Sequence, residues 1–359
     1  MKILMLSWRD MKHPKMGGAE IVTDIYLNGL SKLGHEITLF TADYPNSLIK
    51  ESYNNYNIIR KGNQLTVSFH GLLYAKKHEN EYDLIIDQVN TLPFFTPLLI
   101  KKEKRIAFFH QLCRNIWFYE SIFPLSLIGF ILETLYLKLY RNTKTFVVSE
   151  STKKDLIKYA WAKPNNILVL ENQINFKPIN RIKKKNNYFI FVGRPVKGKK
   201  IEDCIKALSL IKDKKIKLYI ISNGNNKYKN YLINLTRKLN LDKRVLFLEN
   251  ISNEKRNQLM AKATAILVTS VREGWGLIVT EANANGTLAI TYNVPGLIDA
   301  NKTGFVTKNN NHKELARLMK YSINNPKVID KKSQDSLEFA RQHADWTKNI
   351  RRLEKWVRG

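Results

Sequence analysis

The sequence predicts an α/β protein made of two doubly wound domains, each with a parallel sheet and helices on both faces. Two observations support this fold class: short apolar runs alternate with segments of helical spacing, and the alternation starts again near Tyr188. The chain of 359 residues is long enough for two domains of ordinary size. Its 44% hydrophobic and 25% charged residues are typical of a globular protein.

The first half of the chain has a βαβ pattern. A helix is expected over 19–33, because Val22, Tyr26 and Leu30 share one helical face and Gly34 follows as a stop signal. A second helix is expected over 151–159. The apolar runs predict strands at 2–7, 36–41, 57–60, 83–87, 105–109 and 145–149. Strands joined by helices in this way form a parallel sheet.

The second half repeats this pattern after a polar, basic stretch over 172–187. The predicted strands are 188–192, 217–221, 245–248, 265–270 and 288–292, and the predicted helices are 201–211, 227–239, 253–263, 277–285 and 313–324. We therefore expect domains over 1–176 and 177–340 with a cleft between their strand ends. The last stretch, 337–357, looks helical, and 341–359 is expected to form a C-terminal helix.

The net charge of +29 is the most unusual bulk property of the chain. A charge of this size indicates an anionic partner such as nucleic acid, anionic lipid or a phosphorylated substrate, although a general richness in lysine would produce it too. The densest basic segment is 181–200, which contains no acidic residue. Two distant cysteines, Cys113 and Cys204, offer neither a disulfide framework nor a metal-binding spacing, which fits a reducing compartment.

The N-terminal apolar run is too short for a signal peptide, so a cytoplasmic protein is expected. The longest apolar stretch is 121–139, which contains Pro124, Glu133 and Lys138 and does not qualify as a membrane span. Two interpretations are open for this stretch. It is either a buried helix or an interfacial segment that touches lipid, with the aromatic residues Trp117, Tyr119 and Tyr136 at its flanks.

The segment 270–282 carries the most specific motif. A short apolar strand precedes Glu273, a glycine-rich turn ends at Gly276, and a helix follows that contains Glu281. In parallel α/β sheets, ligands bind where a strand turns into a helix, and the free amides at a helix start suit a phosphate. Either glutamate alone would be an ordinary solvated residue; the combination predicts a ligand site.

Three further features lie at similar strand ends. Gly17 and Gly18 separate the first strand from the first helix, Arg194 follows the strand 188–192 with Lys199 five residues later, and His110 ends the strand 105–109. Two cations in such a loop can neutralise a diphosphate. Taken singly, each feature is also compatible with a plain turn, a basic surface loop or a structural histidine.

Together these motifs resemble the retaining glycosyltransferases of family 4, which have the GT-B fold. The stretch 17–20 followed by 34–38 is similar to the N-terminal signature of that family, and Arg194 with Lys199 is similar to its diphosphate clamp. The segment 273–281 matches the Glu-x7-Glu motif of the family, and 295–296 with 303–305 resembles its C-terminal pattern. The resemblance covers almost the whole chain.

The resemblance implies a role for each matching residue. Glu281 would hold the ribose of a nucleotide-sugar, Glu273 would contact the donor sugar, and Arg194 with Lys199 would bind the diphosphate. The amides of Gly276, Leu277 and Ile278 would also contact the diphosphate, Gly17 and Gly18 would approach it from the first domain, and His110 would lie beside sugar and acceptor. The first domain would be the acceptor side, the second would bind the donor, and the C-terminal helix would cross back to the first.

The same resemblance implies a metal-independent enzyme whose only small-molecule requirement is the nucleotide-sugar co-substrate. No Asp-x-Asp occurs in the sequence, and no metal site is expected. Two departures from the family pattern leave the base of the nucleotide open: Glu249 and Asn250 follow the strand 245–248 where a glycine is usual, and Lys200 stands where glycine is frequent.

We therefore expect a retaining transferase that moves a sugar from a nucleotide-diphosphate sugar to a glycan or lipid-linked acceptor. The basic charge and the apolar segment suggest an anionic membrane surface as a further partner, with the protein peripheral at the inner face. The alternatives are a nucleic-acid-binding protein, a sugar phosphorylase of the same fold and a non-catalytic scaffold. The sequence has no zinc spacing, RNP-like run or helix-turn-helix signature, so no nucleic acid is expected.

Overall fold

The computed structural model describes residues 1–174, 176–181, 186–224 and 226–358. Its contacts divide the chain into two compact units. The first unit contains Met1–Arg114, Pro124–Asn172 and the chain from Trp346 onward, and the second contains Asn115–Phe123 and Gln173–Asp345. These limits differ by a few residues from the expected ones, and Asn115–Phe123 belongs with the second unit although it lies within the first-domain range of 1–176.

The elements of the first half largely follow the expected order. The strands are β1 (Lys2–Leu6), β2 (Glu36–Thr41), β3 (Lys50–Tyr53), β4 (Tyr56–Arg60), β5 (Leu84–Val89), β6 (Arg105–Phe109), β7 (Lys144–Val147) and β8 (Ile167–Val169). The helices are α1 (Gly18–Lys32), α2 (Val67–Lys77), α3 (Ile116–Glu120), α4 (Leu125–Leu137) and α5 (Glu150–Ala160). The strand β3, the helix α2 and the strand β8 were not expected.

The eight strands of the first unit form one sheet in the order β3-β4-β2-β1-β5-β6-β7-β8, parallel except for the β3–β4 hairpin. Side chains of β5 show how its two faces are covered. Ile85 packs in a cluster with α2, and Val89, which points to the same side, packs in a cluster with α4 and α5. Gln88 points to the opposite side and donates a hydrogen bond to Thr23 of α1 (2.5 Å). Hence α2, α4 and α5 cover one face, and α1 covers the other.

The elements of the second half begin after the linker. The strands are β9 (Tyr188–Val192), β10 (Lys217–Ile221), β11 (Val245–Leu248), β12 (Ala265–Val268), β13 (Ala289–Thr291) and β14 (Phe305–Val306). The helices are α6 (Ile201–Ser209), α7 (Lys227–Lys238), α8 (Asn253–Lys262), α9 (Leu277–Ala284), α10 (Leu297–Ala300), α11 (His312–Asn324), α12 (Pro326–Gln342) and α13 (Trp346–Arg358). The six strands form a parallel sheet in the order β11-β10-β9-β12-β13-β14, which confirms the doubly wound fold class.

The C-terminal stretch 337–357 is helical as expected, apart from a break over 343–345 that the sequence did not predict. Helix α12 ends at Gln342, and its last turn packs with Ala284 and Ile174 in the second unit. Helix α13 starts at Trp346, whose ring lies against Tyr26 of α1 (5.6 Å between centroids) in the first unit. The two helices pack on different units, and the break over 343–345 allows the chain to pass from one to the other.

Helix α4 is present where the apolar stretch 121–139 predicted a helix, but the buried-helix interpretation is wrong. Its exposed side chains include Leu125, Leu127, Ile128, Ile131, Leu132 and Leu135. Within the described ranges, no helix is long and apolar enough to cross a bilayer.

Candidate active site

The candidate donor site of the second unit is built where β9 and β12 end side by side. The turn over Lys197–Lys199 follows β9 and is hydrogen bonded to the loop that follows β12. Val271 N–H donates to the carbonyl of Gly198 (2.9 Å), and Thr269 Oγ1 donates to the carbonyl of Lys199 (2.8 Å). These bonds bring Lys199 to Glu273, which is 74 residues away in sequence.

Lys199 and Glu273 form an ion pair in which Lys199 Nζ donates to Glu273 Oε1. The same carboxylate oxygen accepts a hydrogen bond from Ser270 Oγ (2.7 Å). Both side chains remain partly exposed. The sequence predicted each residue as a ligand contact but did not predict their contact with each other, nor the part of Ser270.

The glycine turn between the two glutamates depends on backbone that only glycine adopts readily. Gly276 has φ +96° and caps α9, and a Cβ atom there would come within 2.8 Å of Leu297. Gly296 has φ +78°, and a Cβ there would overlap the backbone carbonyl of Glu273. Helix α9 then begins at Leu277, so its first amides, including Ile278, have no partner within the helix.

Glu281 lies in α9, on the element predicted for it, and is nearly buried. Its Oε2 atom is 3.2 Å from Arg256 Nη2 of α8. Burial raises the pKa of the Glu281 carboxyl, and the Arg256 guanidinium opposes this rise. Arg256 could not be predicted from the sequence, because the sequence spacing between a residue of α8 and one of α9 does not indicate that they are in contact.

A second missed residue is Glu120, at the end of α3. Its Oε1 atom accepts a hydrogen bond from Gly198 N–H (2.7 Å), and a Cβ atom on Gly198 would come within 2.8 Å of that oxygen. Glu120 therefore holds the turn that carries Lys199. Arg194 lies just before this turn, with an exposed side chain, and no ion pair joins it to another part of the described chain.

The two departures from the family pattern are explained by the backbone. Asn250 and Lys200 have φ of +52° and +48°, so both occupy the left-handed conformation that glycine favours. The Asn250 amide donates to Asn223 Oδ1 (2.8 Å), and Lys200 Nζ pairs with Asp203 (3.1 Å). The neighbouring Glu249 forms an ion pair with Lys229, so charged residues line this end of the sheet. Lys183, Lys184 and Lys185 of the basic segment 181–200 lie outside the described residues.

In the first unit, Gly17 and Gly18 stand at the start of α1 as expected. The amide of Gly17 donates to Glu20 Oε2 (2.6 Å), so the Glu20 carboxylate caps the helix from its own first turn. Arg9 lies 3.8 Å from the other oxygen of this carboxylate. Gly18 is exposed. The sequence analysis did not assign Glu20 a role in this cap.

His110 follows β6 and is buried. Gln88 Nε2 donates to His110 Nε2 (2.6 Å) and to Thr23 Oγ1, which ties the imidazole to α1. Burial lowers the pKa of His110 to about 3, so the ring is neutral near pH 7. A neutral imidazole can orient a ligand by hydrogen bonding but carries no charge. In the described ranges, no cluster of three or more His, Cys, Asp or Glu side chains could hold a metal ion.

Comparison with known proteins agrees with this architecture. A family model described as "Glycosyl transferases group 1" matches residues 172–343, and one described as "Glycosyltransferase Family 4" matches residues 16–177. An uncharacterized glycosyltransferase of Methanocaldococcus jannaschii is 24% identical over 336 residues, covering 83% of this chain and 82% of that protein. An O-antigen chain mannosyltransferase of Salmonella typhimurium is 29% identical over 161 residues, covering 45% of each.

Solved structures extend the likeness over the whole chain. Sucrose-phosphate synthase from Thermosynechococcus elongatus has a TM-score of 0.80 at 17% identity, covering 99% of this chain and 98% of that chain. An Anabaena protein in complex with UDP and glucose has a TM-score of 0.73 at 18% identity, covering 99% of each chain. The two family models together span both units, and the chain belongs to the family-4 glycosyltransferases of the GT-B fold, enzymes that depend on a nucleotide-sugar donor.

Proposed function

We propose that this glycosyltransferase transfers a sugar with retention of configuration, and without a metal ion, from a nucleotide-diphosphate sugar to a glycan or lipid-linked acceptor. The observation that carries the proposal is the pairing of Lys199 with Glu273 beside the start of α9. This pairing places a cation, a carboxylate and a helix N-terminus together at the carboxyl ends of β9 and β12. These are the groups needed to bind a sugar and stabilise its leaving diphosphate.

The cations act on the leaving group. When the bond between sugar and phosphate breaks, negative charge grows on the diphosphate and positive charge grows on the sugar ring. Lys199, held by its ion pair with Glu273, and the free amides of α9 are in place to offer positive charge to the diphosphate, and Arg194 adds a second cation. In this role they supply what a divalent cation supplies in other transferases.

The carboxylates act on the rest of the donor. Glu273 accepts hydrogen bonds from the sugar and offsets its developing positive charge, and Ser270 restricts the rotation of its carboxylate. Glu281 accepts hydrogen bonds from the ribose hydroxyls, and the Arg256 guanidinium, 3.2 Å away, opposes the rise that burial causes in its pKa. The leaving phosphate takes the proton of the acceptor hydroxyl on the same face of the sugar. The two-carboxylate scheme of glycoside hydrolases is therefore not assigned to this pair.

The first unit contributes the acceptor side of the proposal. His110 orients the sugar or the acceptor as a neutral hydrogen-bonding group, since its pKa of about 3 rules out an imidazolium near neutral pH. Gly17 and the exposed Gly18 allow the diphosphate to approach α1. The O-antigen name of one relative supports a cell-surface glycan as acceptor. The charge of +29 supports a peripheral position at an anionic membrane.

The test is a panel of nucleotide-sugars incubated with the purified enzyme in the presence of EDTA, followed by NMR of the product. We expect one donor to be turned over, the anomeric configuration to be retained and EDTA to have no effect. An inverted product would refute retention, and loss of turnover in EDTA that Mg²⁺ restores would refute metal independence. If turnover required free phosphate as the acceptor, the activity would be that of a sugar phosphorylase and the transferase proposal would be wrong.

A further inference from the structure

We propose that the helix layer formed by α2 and α4 on one face of the first sheet is a docking surface for an anionic lipid bilayer. This inference deepens the proposed function by naming the surface that reaches the membrane. It is testable without any sugar donor, so its failure and the failure of the proposed transferase activity can be told apart.

Helix α4 is built with its apolar side facing outward. Its buried positions include Ser126, Gly129 and Glu133, which form one stripe at helical spacing. Its exposed positions are leucines and isoleucines, with Leu125 60% and Leu135 56% exposed at the two ends. A helix on a protein that meets only water normally has the reverse arrangement.

Buried hydrogen bonds hold α4 in this orientation. Glu133 accepts from the backbone amides of Cys113 (2.6 Å) and Arg114 (2.7 Å). The Arg114 guanidinium lies over the rings of Phe130 and Tyr159, at 4.0 and 4.1 Å, and donates to Thr134 Oγ1 (2.9 Å). Turning the helix over would break these bonds and strand a buried carboxylate, so the outward apolar side is a specified feature of the fold.

Helix α2 adds a second apolar stripe to the same layer. Phe69 and Leu73 lie one turn apart on α2 and are 63% and 47% exposed, and Leu65, just before the helix begins, is 86% exposed. The shared face follows from β5, where Ile85 packs toward α2 and Val89 packs toward α4. On the opposite face of the sheet, α1 and α13 leave far less apolar surface exposed. Among the described residues of α1, its C-cap and α13, Leu33 at the end of α1 is the large apolar side chain that is exposed.

The charges around α4 favour anionic lipid over another protein surface. The one acidic residue of α4 is the buried Glu133. Lys138 follows the helix, and its ammonium lies over the exposed ring of Trp161 (4.5 Å). Aromatic rings and lysines at the edge of an apolar surface are typical of the membrane–water interface. A second copy of this chain would bring its own lysines against these and is therefore disfavoured.

The experiment is co-sedimentation of the full-length protein with vesicles of phosphatidylcholine alone and of phosphatidylcholine mixed with phosphatidylglycerol. We expect binding to the mixed vesicles that weakens as salt is raised. The double variant Ile131→Gln with Leu135→Gln should bind at least roughly tenfold more weakly, because two apolar side chains no longer enter the bilayer. A Phe69→Gln variant should also lose affinity, because Phe69 lies on α2 in the same surface.

The matched control is Leu33→Gln, which removes an exposed leucine from the opposite helix layer and should leave vesicle binding within about twofold of the wild type. Circular dichroism and the unfolding temperature, both measured without a donor, would confirm that each variant is folded. The inference is overturned if the α4 variant binds vesicles as tightly as the control, or if binding is equal on neutral and anionic vesicles. Concentration-dependent dimers that the α4 variant abolishes, without vesicle binding, would also overturn it.

Discussion

The two units differ in what they present to their surroundings. The first unit exposes Phe69 and Leu73 on α2 and a stripe of leucine and isoleucine on α4. In the second unit, outside Asn115–Phe123, the exposed large apolar side chains of the described residues are scattered: Leu210, Tyr231, Ile298, Val306 and Tyr321. The loops after β9 and β12 and the helices α8 and α9 carry ion pairs instead, between Lys199 and Glu273 and between Arg256 and Glu281. The proposed membrane surface and the donor-site ion pairs therefore lie on different units, so substitutions in one should leave the property of the other unchanged.

The largest effect on chemistry is expected from Lys199→Ala or Glu273→Gln. Each should lower kcat/KM by at least about 100-fold, because a charge that stabilises the transition state is lost. Steady-state kinetics with the identified donor is the measurement, and vesicle binding should be unchanged. Lys197→Ala, in the same turn, is the matched control and should stay close to wild type. Near-normal turnover in both active-site variants would refute their assigned roles.

A smaller effect is expected from Glu120→Ala, which removes the acceptor for the Gly198 amide and loosens the turn that carries Lys199. We expect kcat to fall by about tenfold, the size typical of a misplaced catalytic group with some residual order. Glu120→Gln keeps an oxygen at this position and should recover most of the rate. If both variants are equally impaired, the carboxylate charge matters and the positioning argument fails.

Arg256→Gln should act mainly on donor binding and on its pH dependence. Burial already raises the pKa of Glu281, and removing the opposing guanidinium should raise it further. An ionised carboxylate accepts hydrogen bonds from the ribose hydroxyls on both oxygens and binds them more strongly than a protonated one, so donor binding weakens as pH falls through this pKa. The variant should lose binding at higher pH than the wild type, with KM about threefold to tenfold higher near neutral pH. Arg256→Lys keeps the positive charge, so its donor binding should be lost at a pH between those of the wild type and Arg256→Gln. If Arg256→Gln had the same pH profile as the wild type, Arg256 would not act on the pKa of Glu281.

The smallest expected effect concerns His110 and stability. Its folded pKa of about 3 lies below the unfolded value of 6.5, so its contribution is complete above pH 6.5 and is lost as pH falls toward 3. One such group changes the free energy of unfolding by about 1.4 kcal/mol per pH unit inside that window. Urea unfolding at pH 6.5, 5.5 and 5 should show a shallower loss for His110→Asn than for wild type. His312→Asn is the control, and equal slopes in all three proteins would show that His110 titrates normally.

The fold was largely predictable because its signals are local. Strands such as 36–41, 105–109, 188–192 and 217–221 have the predicted bounds, since each is a short apolar run with a turn signal beside it. The strand β3 was missed because its residues Lys50, Glu51 and Ser52 are polar and give no apolar run. Such a strand is tolerated because β3 is the outermost strand of its sheet. Helix α2 was missed because its apolar residues Phe69 and Leu73 face outward and obscure its amphipathic pattern.

The candidate site was predictable only in part. The motif from Glu273 to Glu281 could be read directly, because the strand, the turn and the helix that form it are consecutive. Arg256 and Glu120 could not be found, since their partners Glu281 and Gly198 lie on other elements. The residues assigned to ligand contact remain predictions, and the structure adds which of them touch one another.

The sequence alone determined the two parallel sheets, the helix that follows Gly276 and the presence of a helix near 121–139, because the period of apolar residues is a property of adjacent positions. Only the tertiary structure decided which side of α4 faces outward. Apolar residues surround most of that helix, and a polar stripe with Glu133 would ordinarily be assigned to the solvent side. The amides of Cys113 and Arg114 are buried donors that need an acceptor, and Glu133 turns inward to supply it.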